Sequence, residues 1–286
     1  MKTPALTLLA LLAFAANSVL CRLALGGATI DAASFTSVRL VSGACMLLFI
    51  NALVNKNLPS LRRGVKSGSA LLLFLYAAGF SFAYTGLTTG AGALILFGSV
   101  QATMLLFALG SGERPRPAEW AGLLLAVGGL VYLVFPGLAA PPPSSSAFMA
   151  AAGISWGLYS LGGRGARDPL ADTTGNFVLA LPLALVVNLL ASADAHISLK
   201  GVVLAVLSGA LASGVGYVVW YAALRGLTAT RAATVQLPVP VLAAVGGVIF
   251  MSEKISLRLV VAAAVILGGV ALALSARAQP AHTKRA

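Results

Sequence analysis

Acidic side chains are the scarcest chemistry in this chain. Its 286 residues include seven Asp and Glu, two His and two Cys, and charged residues of either sign make up 9%. Soluble domains carry about 25%. So little charge cannot keep a surface in water, and 59% of the residues are hydrophobic, with a mean hydropathy of +0.97. This composition excludes a soluble enzyme or binding module and requires a chain that sits in the bilayer. Other absences narrow the field. Cys21 and Cys45 make no metal-ligand spacing with His196 or His282, so neither a metal nor another cofactor is expected. There is no HExxH, no GxSxG in a fitting context and no phosphate-binding loop, which argues against a membrane enzyme and a self-contained ATP-driven pump. No filter-like loop or ring of charges is present, which argues against a pore.

What is present is a series of long apolar runs rich in Leu, Ala, Val and Gly. An outer-membrane barrel would alternate over segments of about ten residues. A spanning helix needs roughly 20 mostly apolar residues, and the runs have that length. They predict an all-α polytopic membrane protein with ten transmembrane helices, at about 4–25, 32–54, 68–87, 90–110, 118–137, 147–164, 170–191, 201–223, 231–251 and 258–276. Turn chemistry marks the joints at Gly26-Gly27, Asn57-Leu58-Pro59, Gly110-Ser111-Gly112 and Arg114-Pro115-Arg116-Pro117. Ala13-Phe14-Ala15 resembles a signal cleavage site, but the first run continues to Leu25 and reads as an uncleaved span. Cys21 and Cys45 fall inside spans and read as small core residues.

The chain also repeats itself. Gly86-Leu87-Thr88, Glu113 and Gly128-Gly129 return 140 positions later, without a gap, as Gly226-Leu227-Thr228, Glu253 and Gly268-Gly269. This register divides the chain into a first five-helix repeat over 1–138, a linker over 139–146 containing Pro141-Pro142-Pro143, a second repeat over 147–276 and a tail over 277–286. The linker reads as extended. The net charge of +12 is not a nucleic-acid patch, because the basic residues punctuate the apolar runs. With the N-terminus cytoplasmic, Lys2, Lys56, Arg62, Arg63, Lys66, Arg114, Arg116, Arg164, Arg167, Arg225, Arg231, Arg277, Lys284 and Arg285 all lie inside, while Arg22, Lys200, Lys254 and Arg258 lie outside. The bias places both termini in the cytoplasm, in a multi-pass protein of the cell inner (plasma) membrane. Five spans per repeat is an odd number, so the halves are inverted. Inverted repeats are the plan of secondary transporters, whose substrate site lies near the midplane between the halves.

Three motifs in order, Asn17-Ser18-Val19-Leu20-Cys21-Arg22, Ser37-Val38-Arg39-Leu40 and Gln236-Leu237-Pro238-Val239-Pro240-Val241 followed by Glu253, resemble EamA-type carriers of the drug/metabolite transporter superfamily. The resemblance covers nearly the whole chain. It implies a central cavity lined by the first, third and fourth helices and their counterparts, the sixth, eighth and ninth. It implies metabolite export, with amino-acid exporters of the YddG type and threonine/homoserine exporters as known members, without fixing the substrate. Two departures stand out: Phe14-Ala15-Ala16 where the family often has Trp-Gly before the Asn, and Val100 in the first repeat where the second has Pro240.

Polar groups inside a membrane are costly and are functional candidates by default. Asn17 and Gln101 lie near mid-span and Gln236 lies about a turn inside the ninth. Each fits a substrate contact or an interhelical hydrogen bond worth about 1 kcal/mol. Pro240 lacks an N–H and is expected to free the carbonyl of Gln236. Trp156 and Tyr159 sit near mid-span in the sixth helix and are expected to face the cavity. Tyr76, Phe80 and Tyr84 form one stripe on the third helix, facing cavity or lipid, and Tyr84 suits an interfacial belt equally well. Tyr217 joins the cavity set, whereas Trp120, Trp220 and Tyr221 read as belt residues. Arg39, about two turns into the second span, is open to snorkelling, a structural partner or a substrate carboxylate.

All seven acids, Asp31, Glu113, Glu119, Asp168, Asp172, Asp194 and Glu253, fall in loops or at span ends. Proton-coupled carriers route protons through buried Asp, Glu or His. The expectation is therefore a facilitative or exchange carrier for small metabolites, amino acids foremost, working by alternating access. Its partners are a small-molecule substrate and the lipid bilayer, not nucleic acid. A proton-coupled multidrug exporter is the alternative, with a channel or a structural membrane protein behind it.

Overall fold

The computed structural model of the chain describes residues 3–55, 67–110, 117–135, 140–163, 166, 168–191, 193, 195–224 and 235–278. Lys2, Lys56, Arg62, Arg63, Lys66, Glu113, Arg114, Arg116, Arg164, Arg167, Asp194, Arg225, Arg231 and the residues after 278 lie outside these. Among the described residues the elements are α1 (Thr3–Gly26), α2 (Ala32–Asn55), α3 (Ser67–Tyr84), α4 (Thr89–Gly110), α5 (Pro117–Val134), α6 (Pro143–Gly163) and α7 (Pro169–Leu190). The eighth, α8, runs Leu199–Val206 as α-helix, Leu207–Val215 as π-helix and Gly216–Leu224 as α-helix again. Last come α9 (Val239–Met251) and α10 (Leu257–Ala278). Four stretches, Pro4–Gly26, Ala32–Val54, Pro169–Leu190 and Leu199–Ala223, are long and apolar enough to cross a bilayer alone.

Local chemistry starts these helices where the sequence supplies a cap. Asp31 Oδ1 accepts from Ser34 N at 2.8 Å ahead of α2, Asp168 Oδ1 accepts from Ala171 N at 3.0 Å ahead of α7, and Ser198 Oγ accepts from Gly201 N at 3.1 Å ahead of α8. The linker is shorter than expected. α6 begins at Pro143, because proline is favoured at a helix start and Ser146 can bond back to the carbonyl of Pro142. The ninth span departs further. Its helix runs without a break only from Val239, after a turn at 236–238. Pro238 and Pro240 have no N–H to continue a ladder from upstream.

The packing follows the duplication. α6 packs on α3 and α4, and α1 packs on α8 and α9. α2 packs on α7, α4 on α9 and α5 on α10. Exchanging each helix with the one five places later maps these contacts onto themselves, a pseudo-two-fold pattern in the packing of the ten helices. Polar bonds stitch the self-paired α2–α7 contact: Asn51 Nδ2 donates to Thr174 Oγ1 at 3.0 Å and Asn188 Nδ2 to Ser34 Oγ at 3.3 Å.

Glycines set the closest crossings. A Cβ at Gly122 would collide with the carbonyl of Gly269, and one at Gly269 would sit 2.7 Å from the carbonyl of Gly122. Gly129 faces Ile266 on α10, and Gly90 faces Ala244 on α9. The partners of these glycine faces therefore belong to the same chain, while Gly128 and Gly268 face open space. The two cysteines differ from expectation in part. Cys21 is a buried core residue, but Cys45 is exposed on the outer face of α2.

One end of the bundle is tied by loops that all follow odd-numbered helices. Ile30 and Ile197 form an isolated bridge between the α1–α2 and α7–α8 connections. Arg22, at the end of α1, meets Glu253 of the α9–α10 turn. Arg258 caps α5 by donating to the carbonyl of Tyr132 at 2.8 Å and to that of Phe135. Alternating spans require this grouping of odd loops at one face.

Candidate functional site

Trp156 of α6 stands at the centre of a buried aromatic cluster. Its ring lies 4.8 Å from Tyr76, 4.9 Å from Tyr217, 5.6 Å from Tyr159 and 6.3 Å from Phe14, centroid to centroid. Phe14 meets the edge of Trp220 at 5.6 Å, Phe80 lies between Tyr76 at 5.5 Å and Tyr84 at 4.8 Å, and Phe177 of α7 closes on Tyr217 at 5.9 Å. Offset and edge-to-face pairs of this kind add about 0.5–1.5 kcal/mol each beyond burial. The rings come from α1 and α3 of one half and from α6, α7 and α8 of the other.

Two expectations about belts are corrected here. Trp220 is 5% exposed and packs edge-on to Phe14 rather than lying at an interface. Tyr84 is fully buried, and its hydroxyl donates to the carbonyl of Thr89 at 3.3 Å, which removes the belt option. The stripe Tyr76, Phe80 and Tyr84 faces inward throughout. Trp120, 47% exposed, keeps its place on the surface.

Arg39 is buried inside this cluster at 1% exposure, so it does not snorkel. The guanidinium lies 5.2 Å from the ring centroid of Tyr76 and 5.0 Å from that of Phe80. Nη2 donates to Tyr76 Oη at 3.1 Å, and Nε and Nη2 both reach Ser213 Oγ at 3.3 Å. Cation–π contact of this sort is worth about 2 kcal/mol when desolvated. Asn17 joins the same network. Its Nδ2 donates to Tyr76 Oη at 3.4 Å and its Oδ1 accepts from Ser208 Oγ at 2.6 Å. Asn176 Nδ2 donates to Tyr159 Oη at 3.3 Å on the α7 side.

Ser208 and Ser213 both lie in the π segment of α8. π segments are rare and concentrate at functional sites. Close approach drives this one, since a Cβ at Gly209 would collide with the carbonyl of Arg39 and with Ser42. The widened turn brings both serines to polar side chains of α1 and α2. The sequence alone singles out neither serine, and Phe14 enters there as a departure from the family pattern and as part of Ala13-Phe14-Ala15, not as a member of the site. The clustering of small residues in Ser208-Gly209-Ala210-Leu211-Ala212-Ser213-Gly214 is the signal that points to a close helix contact.

Gln101 and Gln236 are buried at 2% and 4%, and Pro240 is buried in the first turn of α9. The carbonyl of Gln236 is not free. It accepts from Val239 N at 3.0 Å, because the turn at 236–238 brings that N–H back to it. Outside the membrane-spanning segments, burial pushes the Asp31 carboxyl up, but hydrogen bonds from Ser34 and from the backbone of His196 outweigh it and hold the group below its usual range. Among the described residues no three His, Cys, Asp or Glu side chains group as a metal site.

Residues 144–275 match the EamA-like transporter family. An uncharacterized protein of Pseudomonas aeruginosa is 49% identical over 276 residues, spanning 96% of this chain and 96% of its own. A solved crystal structure, 22% identical, shares the fold with a TM-score of 0.68 over 96% of this chain and 98% of that one.

Proposed function

The chain belongs to the EamA-like transporter family, and on that premise we propose that it is a secondary carrier that exports small metabolites, amino acids foremost, by alternating access. The observation that carries this reading is the joint construction of the centre. Arg39, Tyr76 and Phe80 come from one half, Trp156, Ser213 and Tyr217 from the other, and they meet in direct contact. Rocking one half against the other would separate and rejoin exactly these groups, as inverted-repeat carriers require. The second half of the argument is the tied end. Arg22–Glu253 and the Ile30–Ile197 bridge tie the face of the odd-numbered loops, which supports access from the other face.

The site residues proposed to meet the substrate are Asn17, Arg39, Tyr76, Phe80, Trp156, Tyr159 and Tyr217, with Tyr84, Gln101, Gln236 and Pro240 supporting them. The charged acids Asp31, Asp168 and Glu253 stand at helix ends, which favours facilitative or exchange transport over proton coupling. The positive charges favour the inner membrane with both termini cytoplasmic.

Counterflow in proteoliposomes tests the reading. Labelled amino acids are offered to vesicles preloaded with the unlabelled solute, with and without a pH gradient. Saturable exchange indifferent to the gradient is expected. Accumulation driven by the gradient would replace this reading with the proton-coupled alternative.

A further inference from the structure

The two serines of the π segment stand five positions apart, and both are buried, Ser208 at 0% and Ser213 at 1% exposure. Five residues of α-helix turn through about 500°, which would leave the two side chains about 140° apart. A π-helix closes its turn between i and i+5, so the same positions stand one above the other. The N–H of Gly216 donating to the carbonyl of Leu211 is such a bond. This form lets Ser208 Oγ donate to Asn17 Oδ1 at 2.6 Å while Ser213 Oγ accepts from Nε and Nη2 of Arg39 at 3.3 Å. In the α form one serine has to turn away. The ends of α8 are held differently. Upstream, the N–H and the Oγ of Ser198 both donate to the carbonyl of Thr29, at 2.9 and 2.7 Å, and a Cβ at Gly201 would collide with that carbonyl and with Ile30. The start of α8 is thereby clamped to the α1–α2 connection at the tied face. Downstream, Tyr217 and Trp220 pack edge-on to Phe14. The matching stretch 140 positions earlier, 67–75 in α3, is α-helix throughout. One repeated stretch thus takes both forms in a single chain.

We propose that the π segment of α8 is a conformational switch: as the tied face opens the segment becomes α-helix, Ser208 stays with Asn17 beside the clamp, and Ser213 swings off Arg39. The inference rests on the carrier reading with its two inverted halves and adds to it the element that moves. The halves of such a carrier trade roles between its two states, and α8 then takes the form that α3 has now. Packed elements with two discrete arrangements are what convert a local change into a global one. Unwinding the π turn rotates Tyr217 and Trp220 against Phe14, so the register of α8 is coupled to the shape of the aromatic centre.

The test is a distance measurement across the tied face on the full chain in nanodiscs. Spin labels are placed at Thr85→Cys and Lys254→Cys, two exposed positions beside the partners of Arg22, with Cys21 and Cys45 replaced by Ser. Pulsed electron spin resonance gives the ratio of long to short distances, which is the ratio of open to tied protein. Deletion of Ala212 puts the serines four apart, the spacing that shares a face in an α-helix. Both bonds then form without a π turn, and nothing is left to switch. This variant is expected to show the short distance alone and to lose counterflow. Ser213→Ala is expected to raise the open-to-tied ratio about tenfold, the loss of one hydrogen bond to a charged group. Ser208→Ala, whose bond persists in both states, is expected to leave the ratio within about twofold. A ratio unmoved by Ser213→Ala, or moved equally by Ser208→Ala, would overturn the switch, and so would a folded deletion variant that still opens. Where the deletion variant does not fold, the two serine variants decide. Counterflow separates the two claims. Parental exchange by a folded deletion variant would sink the switch and keep the carrier; the expected shifts in distance without exchange of any solute by the parent would keep the moving element and sink the carrier.

Discussion

Arg22 and Glu253 are 231 positions apart, yet Arg22 Nε donates to Glu253 Oε1 at 3.2 Å. The other carboxylate oxygen accepts from the backbone N–H of Thr89 at 2.8 Å, at the start of α4. Arg22 Nη1 donates in turn to the carbonyl of Tyr84 at 3.0 Å, at the end of α3. One carboxylate and one guanidinium thus tie α1, α3 and α4 of the first half to the α9–α10 turn of the second, while both side chains keep partial contact with solvent at 21% and 12% exposure.

Breaking this tie should open the face it closes. Cys21 is buried one residue before Arg22, and it becomes the reporter once Cys45 is replaced by Ser. Glu253→Gln is expected to raise the rate at which a water-soluble maleimide labels Cys21 by about tenfold, the loss expected for one charge-assisted bond. An unchanged rate would mean that the pair does not hold this end shut.

Asp31 predicts a specific acid sensitivity. Its carboxyl is held below the usual value of 3.8, so it stabilises the fold above that pH and the contribution is lost as pH falls through the lowered folded value. Thermal unfolding in detergent should show the melting temperature falling as the pH drops below the ordinary carboxylate value of 3.8, with a smaller fall in Asp31→Asn. Asn keeps the helix cap without the titration. An identical fall in both proteins would remove Asp31 from the account.

The tryptophans should separate cleanly. Trp220→Ala is expected to cost about 3–5 kcal/mol, as loss of a buried ring does. Trp120→Ala, on the exposed face, should stay within about 0.5 kcal/mol. Equal shifts in melting temperature would return Trp220 to the interface.

The α5–α10 crossing gives a paired prediction within one dipeptide. Gly269→Val should prevent a folded product, because its side chain would strike the Gly122 carbonyl, whereas Gly268→Val meets open space and should be tolerated. Size-exclusion profiles of the two variants check this directly.

The architecture was legible because its causes are repetitive. Apolar length sets the spans, and the matched Glu253 and Gly268-Gly269 reveal the duplication. The inward placement of the mid-span Trp156 and Tyr159 was legible because polar aromatic tips need partners, whereas the stripe of Tyr76 and Phe80 showed its spacing but not whether it faced inward or lipid. Trp220 and Tyr84 were not legible, because depth along a span does not say which way a ring faces; Phe14 and Thr89 decide that from other helices. The expectation of a free Gln236 carbonyl failed for a local reason. A proline at 240 removes one donor, but the turn it permits delivers another, from Val239. The π segment was invisible because it arises from the fit of Gly209 against α2 rather than from any propensity of its own residues.

The central claim is that one buried site between inverted halves is reached from one face at a time. Ser213→Cys, in a protein with Cys21 and Cys45 replaced by Ser, tests it most directly in sealed vesicles of known orientation. The account predicts labelling of this cysteine from the face opposite the Arg22–Glu253 tie, moving to the tied face when Glu253→Gln is added. Labelling from both faces at once in a single state, or from neither in both proteins, would contradict alternating access.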